Sequence, residues 1–193
     1  MMVFIVIDGL DASGKSTQAQ RLVRHLRDNG HSVHLRFHPS EDSWAGIRAR
    51  RYLLTEGRNA HFASAMFYIV DVIRSVIKCP WWIPDYVVFV RYLMGTAYLP
   101  SPLDRIAYIF FAVLLPKPRH KFYLDVAPER AHRRIEESRN QREMCESLEQ
   151  LRKVGSKARR LAVLHGWSIV DANMKEEDVQ SRILLEITGS VHR

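Results

Sequence analysis

Gly9-Leu10-Asp11-Ala12-Ser13-Gly14-Lys15-Ser16 places two glycines around a short turn and follows the second at once with a lysine and a hydroxyl. This is the spacing G-x-x-x-x-G-K-[ST], and the chemistry it suits is phosphate binding. Glycines let the chain turn so that successive backbone N–H groups converge on one point, and a helix that starts there adds its positive end. Lys15 is placed to reach the terminal phosphates of a bound polyphosphate. The Ser16 hydroxyl, with Thr17 behind it, is placed to help hold Mg²⁺. The motif carries weight only between a strand and a helix, and both are present. Met2–Ile7 is an apolar run, and Ser16–Asn29 sets Ala19, Leu22, Val23 and Leu26 on one helical face before Gly30.

Further along, strand and helix patterns alternate. Ser32–Phe37, Tyr86–Val90, Lys121–Val126 and Trp167–Val170 read as strands. Trp44–Thr55 and Ala60–Lys78, separated by Gly57, read as helices. So do Pro102–Leu115, the segment opening at Pro128, Leu148–Leu164 and Glu176–Ile187. Such alternation predicts an α/β fold: one doubly wound, parallel, five-stranded sheet flanked by helices, with residues 1–193 forming one domain. Charged sequence at about 138–146 interrupts the helical pattern and reads as a short lid.

Composition narrows the partners. Two cysteines, Cys79 and Cys145, are too few for a disulfide framework and point to a reducing, cytoplasmic setting. The apolar start lacks a basic leader segment. The most apolar stretch, Ile106–Leu115, is about half the length of a membrane span, so no membrane is expected. Net charge is +8. The arginines between Arg130 and Arg160 alternate with glutamates, however, which fits solvated helices and phosphate contacts better than a nucleic-acid stripe. No Asn-Lys-x-Asp guanine motif occurs.

Several segments together resemble the thymidylate kinase family of nucleoside monophosphate kinases. Ile7–Gln18 is similar to its opening motif nearly residue for residue, and Arg91–Tyr98 resembles its Asp-Arg-Tyr segment. Tyr123–Ala131 is similar to its leucine-aspartate strand with the Pro-Glu helix start, and Asp171-Ala172 matches the pair after the last strand. The resemblance implies transfer of the γ-phosphoryl group of ATP, with Mg²⁺, to a nucleoside monophosphate, most nearly dTMP, by a homodimer whose helices pack side by side. It implies that Arg91 grips the acceptor phosphate and that Tyr98 lies beside it. Asp11 matches the position that meets the acceptor sugar; as a bare residue it reads equally as an Asx turn. Phe37 is read against the acceptor base or in the core. Arg48 is read toward the acceptor phosphate or on a solvated face with Arg50 and Arg51. In the lid, Arg142 and Arg139 are read as bringing charge to the transferring group. Their alternative is surface pairing with Glu136, Glu143 and Glu146.

Four positions depart from the family pattern. Ala12 stands where some members carry an arginine, and Val90 replaces the Asp of Asp-Arg-Tyr, leaving Asp8 and Asp125 as substitute carboxylates. Val72 replaces a thymine-reading arginine, with Arg74 nearby. His38 replaces a glutamate before Pro39. An alternative follows from these departures: a diverged nucleotide-binding protein with another acceptor, or one that acts through a partner.

Overall fold

The computed structural model describes residues 2–53, 58–138 and 147–189. Five strands, β1 (Val3–Gly9), β2 (Val33–Phe37), β3 (Tyr86–Val90), β4 (His120–Asp125) and β5 (Ser168–Asp171), form one parallel sheet in the order β2-β3-β1-β4-β5. Central strands of a parallel sheet are covered on both faces, so they read as unbroken apolar runs. Ile5–Ile7, Val87–Phe89 and Phe122–Leu124 are accordingly fully buried.

The chain winds from β1 to β2 through α1 (Lys15–Asp28), and to β3 through α2 (Trp44–Leu53) and α3 (Arg58–Lys78). It then crosses to the other half of the sheet through α4 (Leu103–Leu114), α5 (Pro128–Ser138) and α6 (Leu148–Leu164), and closes with α7 (Glu176–Gly189). Right-handed crossovers put α1 on one face and α3, α4 and α6 on the other. The contacts agree, because α7 packs on α1 while α3, α4 and α6 share contacts with a 3₁₀ turn at Met94–Tyr98. The sheet reverses its winding direction at β1, and ligands of open α/β sheets bind outside the carboxyl ends at such a point.

Element boundaries shift by a residue or two from the sequence reading. β1 runs on through Gly9 because its ladder with β4 continues to Gly9↔Leu124. The 3₁₀ turn was not expected from the sequence. It is held by a tertiary partner, since the Met94 N–H donates to Asp8, and by a local bond from the Thr96 hydroxyl to the Leu93 carbonyl at 2.7 Å. The proposed lid residues 139–146, with Arg139 and Arg142, lie outside the described residues.

Asp8 joins the two halves of the sheet's upper edge. It is 2 % exposed, accepting the Gly9 N–H on one oxygen (3.0 Å) and those of Tyr92 (2.8 Å) and Met94 (3.2 Å) on the other. Burial pushes its carboxyl above the usual range, against the opposing pull of these donors and of Lys15. At Gly9 itself, with φ +151°, a Cβ would stand 2.6 Å from the Leu124 carbonyl, so the entry to the loop tolerates no side chain. Replacing Asp8 with alanine strands three buried donors. The expected loss in urea denaturation is about 3 kcal/mol or more, whereas an exposed change such as Glu149→Ala costs under about 0.5 kcal/mol.

Candidate active site

The turn after β1 has the shape the glycine spacing requires. Ala12 (φ 56°) and Gly14 (φ 91°) are left-handed, and α1 starts at Lys15 without a side-chain cap, which leaves its first N–H groups directed at the loop. Lys15 is buried. Its ammonium donates to the Leu10 carbonyl and stands 4.0 Å from Asp11 Oδ1.

Asp11 is the meeting point. Its Oδ1 accepts from the Arg91 guanidinium and its Oδ2 from the Tyr98 hydroxyl at 2.9 Å, although these residues lie far apart in sequence. A carboxylate has further lone pairs, so it can still accept a substrate hydroxyl. Arg91 reaches Asp11 from the end of β3 in a left-handed conformation, φ 64°, which costs a non-glycine residue about 1–2 kcal/mol. Three tethers hold it there. The Arg91 N–H donates to the Ile7 carbonyl (3.0 Å), the next N–H donates to Asp8, and the Arg91 carbonyl accepts from His38 Nδ1 (2.9 Å). A carbonyl can only accept, so Nδ1 carries the proton.

His38 is thus neither exposed nor idle, a role its place before Pro39 did not announce. It is buried against Phe89 and Tyr68, and desolvation lowers its pKa to about 4. The loop that bears it is anchored by Asp71, which is fully buried and accepts from the Ser40 N–H (2.7 Å) and from the Ser40 and Ser43 hydroxyls.

Beside these groups lies a cleft of about 540 Å³, lined among others by Ser16, Phe37, His38, Arg50, Val90 and Arg91. Its volume suits a small ligand. Phe37 therefore serves the cleft wall as well as the core margin. Arg48 does not line it. Its guanidinium lies 5.7 Å from the centroid of Trp44 and 5.5 Å from that of Phe67, a cation–π seat made by aromatic rings along α2 and α3. Arg50 occupies the cleft side instead, paired with Glu41 at 2.7 Å. A guanidinium that the sequence reading passed over, Arg134 of α5, donates to the Ala12 carbonyl at 3.0 Å and so brings a cation to the loop position that lacks one. Helical periodicity gives no sign of that contact, which spans most of the chain.

Both substitute carboxylates already have partners in the fold. Asp8 is consumed by backbone donors, and Asp125 accepts from Arg159 at 2.9 Å. Val72 is 2 % exposed in the core, and neither it nor Arg74 lines the cleft. Among the described residues, no group of three or more His, Cys, Asp or Glu side chains is arranged to hold a metal. Among the described residues, no helix is long and apolar enough to cross a membrane.

A sequence model described as "Thymidylate kinase" matches residues 7–183. The chain belongs to the thymidylate kinase family. A thymidylate kinase of Plasmodium falciparum (isolate 3D7) is 30 % identical over 194 residues, covering 96 % of this chain and 89 % of that one. A thymidylate kinase of Coprothermobacter proteolyticus is 26 % identical over 203 residues, covering 96 % and 98 %. The solved thymidylate kinase structure from Candida albicans superposes with a TM-score of 0.73 at 20 % identity, covering 97 % of this chain and 92 % of that one. It therefore shares the fold.

The neutral state of His38 has a measurable consequence. Its pKa is about 6.5 in the unfolded chain and about 4 in the fold, so the unfolded state takes up the proton first and stability falls as pH drops through that window. His38→Asn keeps a donor for the Arg91 carbonyl but does not titrate. Across pH 6.5 to 4, the stability of the native chain is expected to fall relative to this variant by about 3 kcal/mol at most, measured by denaturation at each pH.

Proposed function

We propose that this chain transfers the γ-phosphoryl group of ATP to dTMP, as a nucleoside monophosphate kinase. The single observation that carries the reading is the contact of Arg91 with Asp11. It joins the loop suited to the donor phosphates to a guanidinium suited to the acceptor phosphate. In the reaction the bond from the γ-phosphorus to the β–γ bridging oxygen breaks, and a bond to an oxygen of the acceptor phosphate forms. Charge moves toward ADP as it does so, and Lys15 and the loop N–H groups are placed to meet it. Arg91 orients the acceptor with a bidentate fork, Asp11 accepts the sugar hydroxyl, and Tyr98 holds Asp11. Phe37 lines the acceptor side.

Mg²⁺ fits this site in a limited way. The Ser16 hydroxyl lies on the cleft wall, and the carboxylates that line the cleft among the described residues, Glu41 and Asp42, are paired with Arg50 and Arg36. Ser16 would hold the ion together with nucleotide phosphates and water, as Mg²⁺ accepts few protein ligands. When bound, it would neutralise phosphate charge.

Val72 lies in the core and supplies no hydrogen bond to the base, so we expect a smaller preference for dTMP over other pyrimidine monophosphates than an arginine would enforce. Coupled ADP release with each monophosphate tests the reading. The highest kcat/KM is expected with dTMP, at least about 100-fold lower kcat in Lys15→Met, and a KM for dTMP raised about tenfold in Arg91→Lys. No ADP release with any acceptor, alongside ATP binding, would favour the non-catalytic alternative.

We also infer a homodimer in a cytoplasmic setting. Helix α4 is apolar beyond its first turn. Tyr108 faces inward, yet Ile106, Phe110 and Val113 are more than half exposed, and Met66, Val70 and Ile77 continue an exposed apolar line on α3. A helix of that kind is usually covered. Phe110→Glu is expected to convert a dimer to a monomer in sedimentation velocity without loss of helix content. A monomeric native protein would count against the inference.

A further inference from the structure

A second cavity, of about 330 Å³, shares no lining residue with the cleft at the phosphate loop. It sits where α4 ends and the chain turns into β4, toward the amino edge of the sheet. Leu93, Ala112 and Leu115 give it apolar walls. Tyr108 and His165 add stacked rings, with centroids 4.2 Å apart. Tyr108 is fixed from behind, its hydroxyl accepting from Trp167 Nε1 at 2.7 Å. Burial, and then the charge of Lys121, lowers the pKa of His165, so the stack is a neutral aromatic surface at pH 7.

The charged groups of this cavity are cationic. Lys121 is half-buried and donates to the His165 carbonyl at 2.8 Å. Among the described residues it has no carboxylate within 4.0 Å, and burial lowers its pKa. Lys117, exposed at the rim, has no acidic partner among them either. A half-buried ammonium with donors to spare and no counter-ion is costly unless an anion joins it. Two ammonium groups beside a small apolar chamber suit one negative charge on a hydrophobic body.

We propose that this cavity binds a small organic monoanion, a hydrophobic carboxylic acid, with its carboxylate on Lys121 and Lys117 and its ring or short chain against Leu93, Ala112 and the Tyr108–His165 stack. Occupancy bears on the site described above. Leu93 follows Arg91 by two residues, and the Tyr92 hydroxyl of the same strap donates to the Pro116 carbonyl at the cavity wall (3.0 Å). This coupling rests on the kinase reading; the binding does not.

Calorimetric titration of the nucleotide-free protein with 4-phenylbutyrate tests the binding. Saturable one-site binding at millimolar concentration is expected, weakened about tenfold or more in Lys121→Met and for the neutral 4-phenylbutyramide. Ala112→Trp, which fills the chamber, should abolish it. Thermal melts of each variant establish folding. Should Lys121→Met not fold, the amide, Lys117→Met and Ala112→Trp decide in its place. Absence of saturation, equal binding of the amide, or unchanged binding in Ala112→Trp overturns the proposal. Coupling is read separately: saturating phenylbutyrate should change the KM for dTMP at least about twofold in the native protein and not in Ala112→Trp. An unchanged native KM overturns the coupling and leaves the binding result intact.

Discussion

The buried carboxylate of Asp8 is the constraint on which the upper edge of this sheet depends. Placing an ion there is unfavourable, and its raised pKa records that cost. The cost is offset by three backbone N–H groups that would otherwise be buried without partners. One belongs to the first glycine of the phosphate loop, and two belong to the strap that follows Arg91. A single side chain at the end of β1 therefore fixes the distance between the donor loop and the guanidinium that faces it. Hydrogen bonding of this kind is directional, so the two halves are held in angle as well as in distance.

Arg91 shows how that rigidity is used. A left-handed arginine at a strand end would relax if its neighbours let it. Its own N–H, its carbonyl and the following N–H are each held by a different element: β1, the His38 loop and Asp8. The His38 loop is in turn held by Asp71 of α3. The result is a chain of buried polar contacts running from α3 through the loop to the Arg91 backbone, each uninformative when taken alone.

The cations around the cleft also differ in how readily they yield to a phosphate. Arg50 and Glu41 are a largely exposed pair, worth little and easily parted. Arg36 is more committed, since it grips Asp42 bidentately and holds that carboxyl at about 2. Arg91 and Asp11 are mostly shielded from solvent, so their attraction is screened less. A phosphate entering the cleft would exchange partners with Arg50 first, while the Arg91–Asp11 contact keeps its geometry.

Much of the architecture was legible in the sequence because it is written in short-range patterns. Apolar runs marked the buried parallel strands, three-and-four spacing marked the helices, and Gly9–Ser16 marked the loop, each within a few residues of the observed bounds. Asp11, Lys15, Arg91 and Tyr98, which the likeness to a family singles out, are brought into contact by the fold. What periodicity could not supply was which of several equivalent side chains faces inward. Arg48 and Arg50 are both basic residues of one helix. The first is drawn to Trp44 and Phe67, and the second turns to the cleft, where it pairs with Glu41. Asp8, His38, Asp71 and Arg134 likewise acquire their roles through partners distant in sequence, 28 to 122 residues away, beside the adjacent Gly9 in the case of Asp8. The sequence by itself determined the α/β fold and the phosphate loop, since strand, turn and helix each depend on near neighbours. Only the tertiary structure decided how charge is distributed around that loop, because a buried ion takes its meaning from whatever the fold brings within hydrogen-bonding reach.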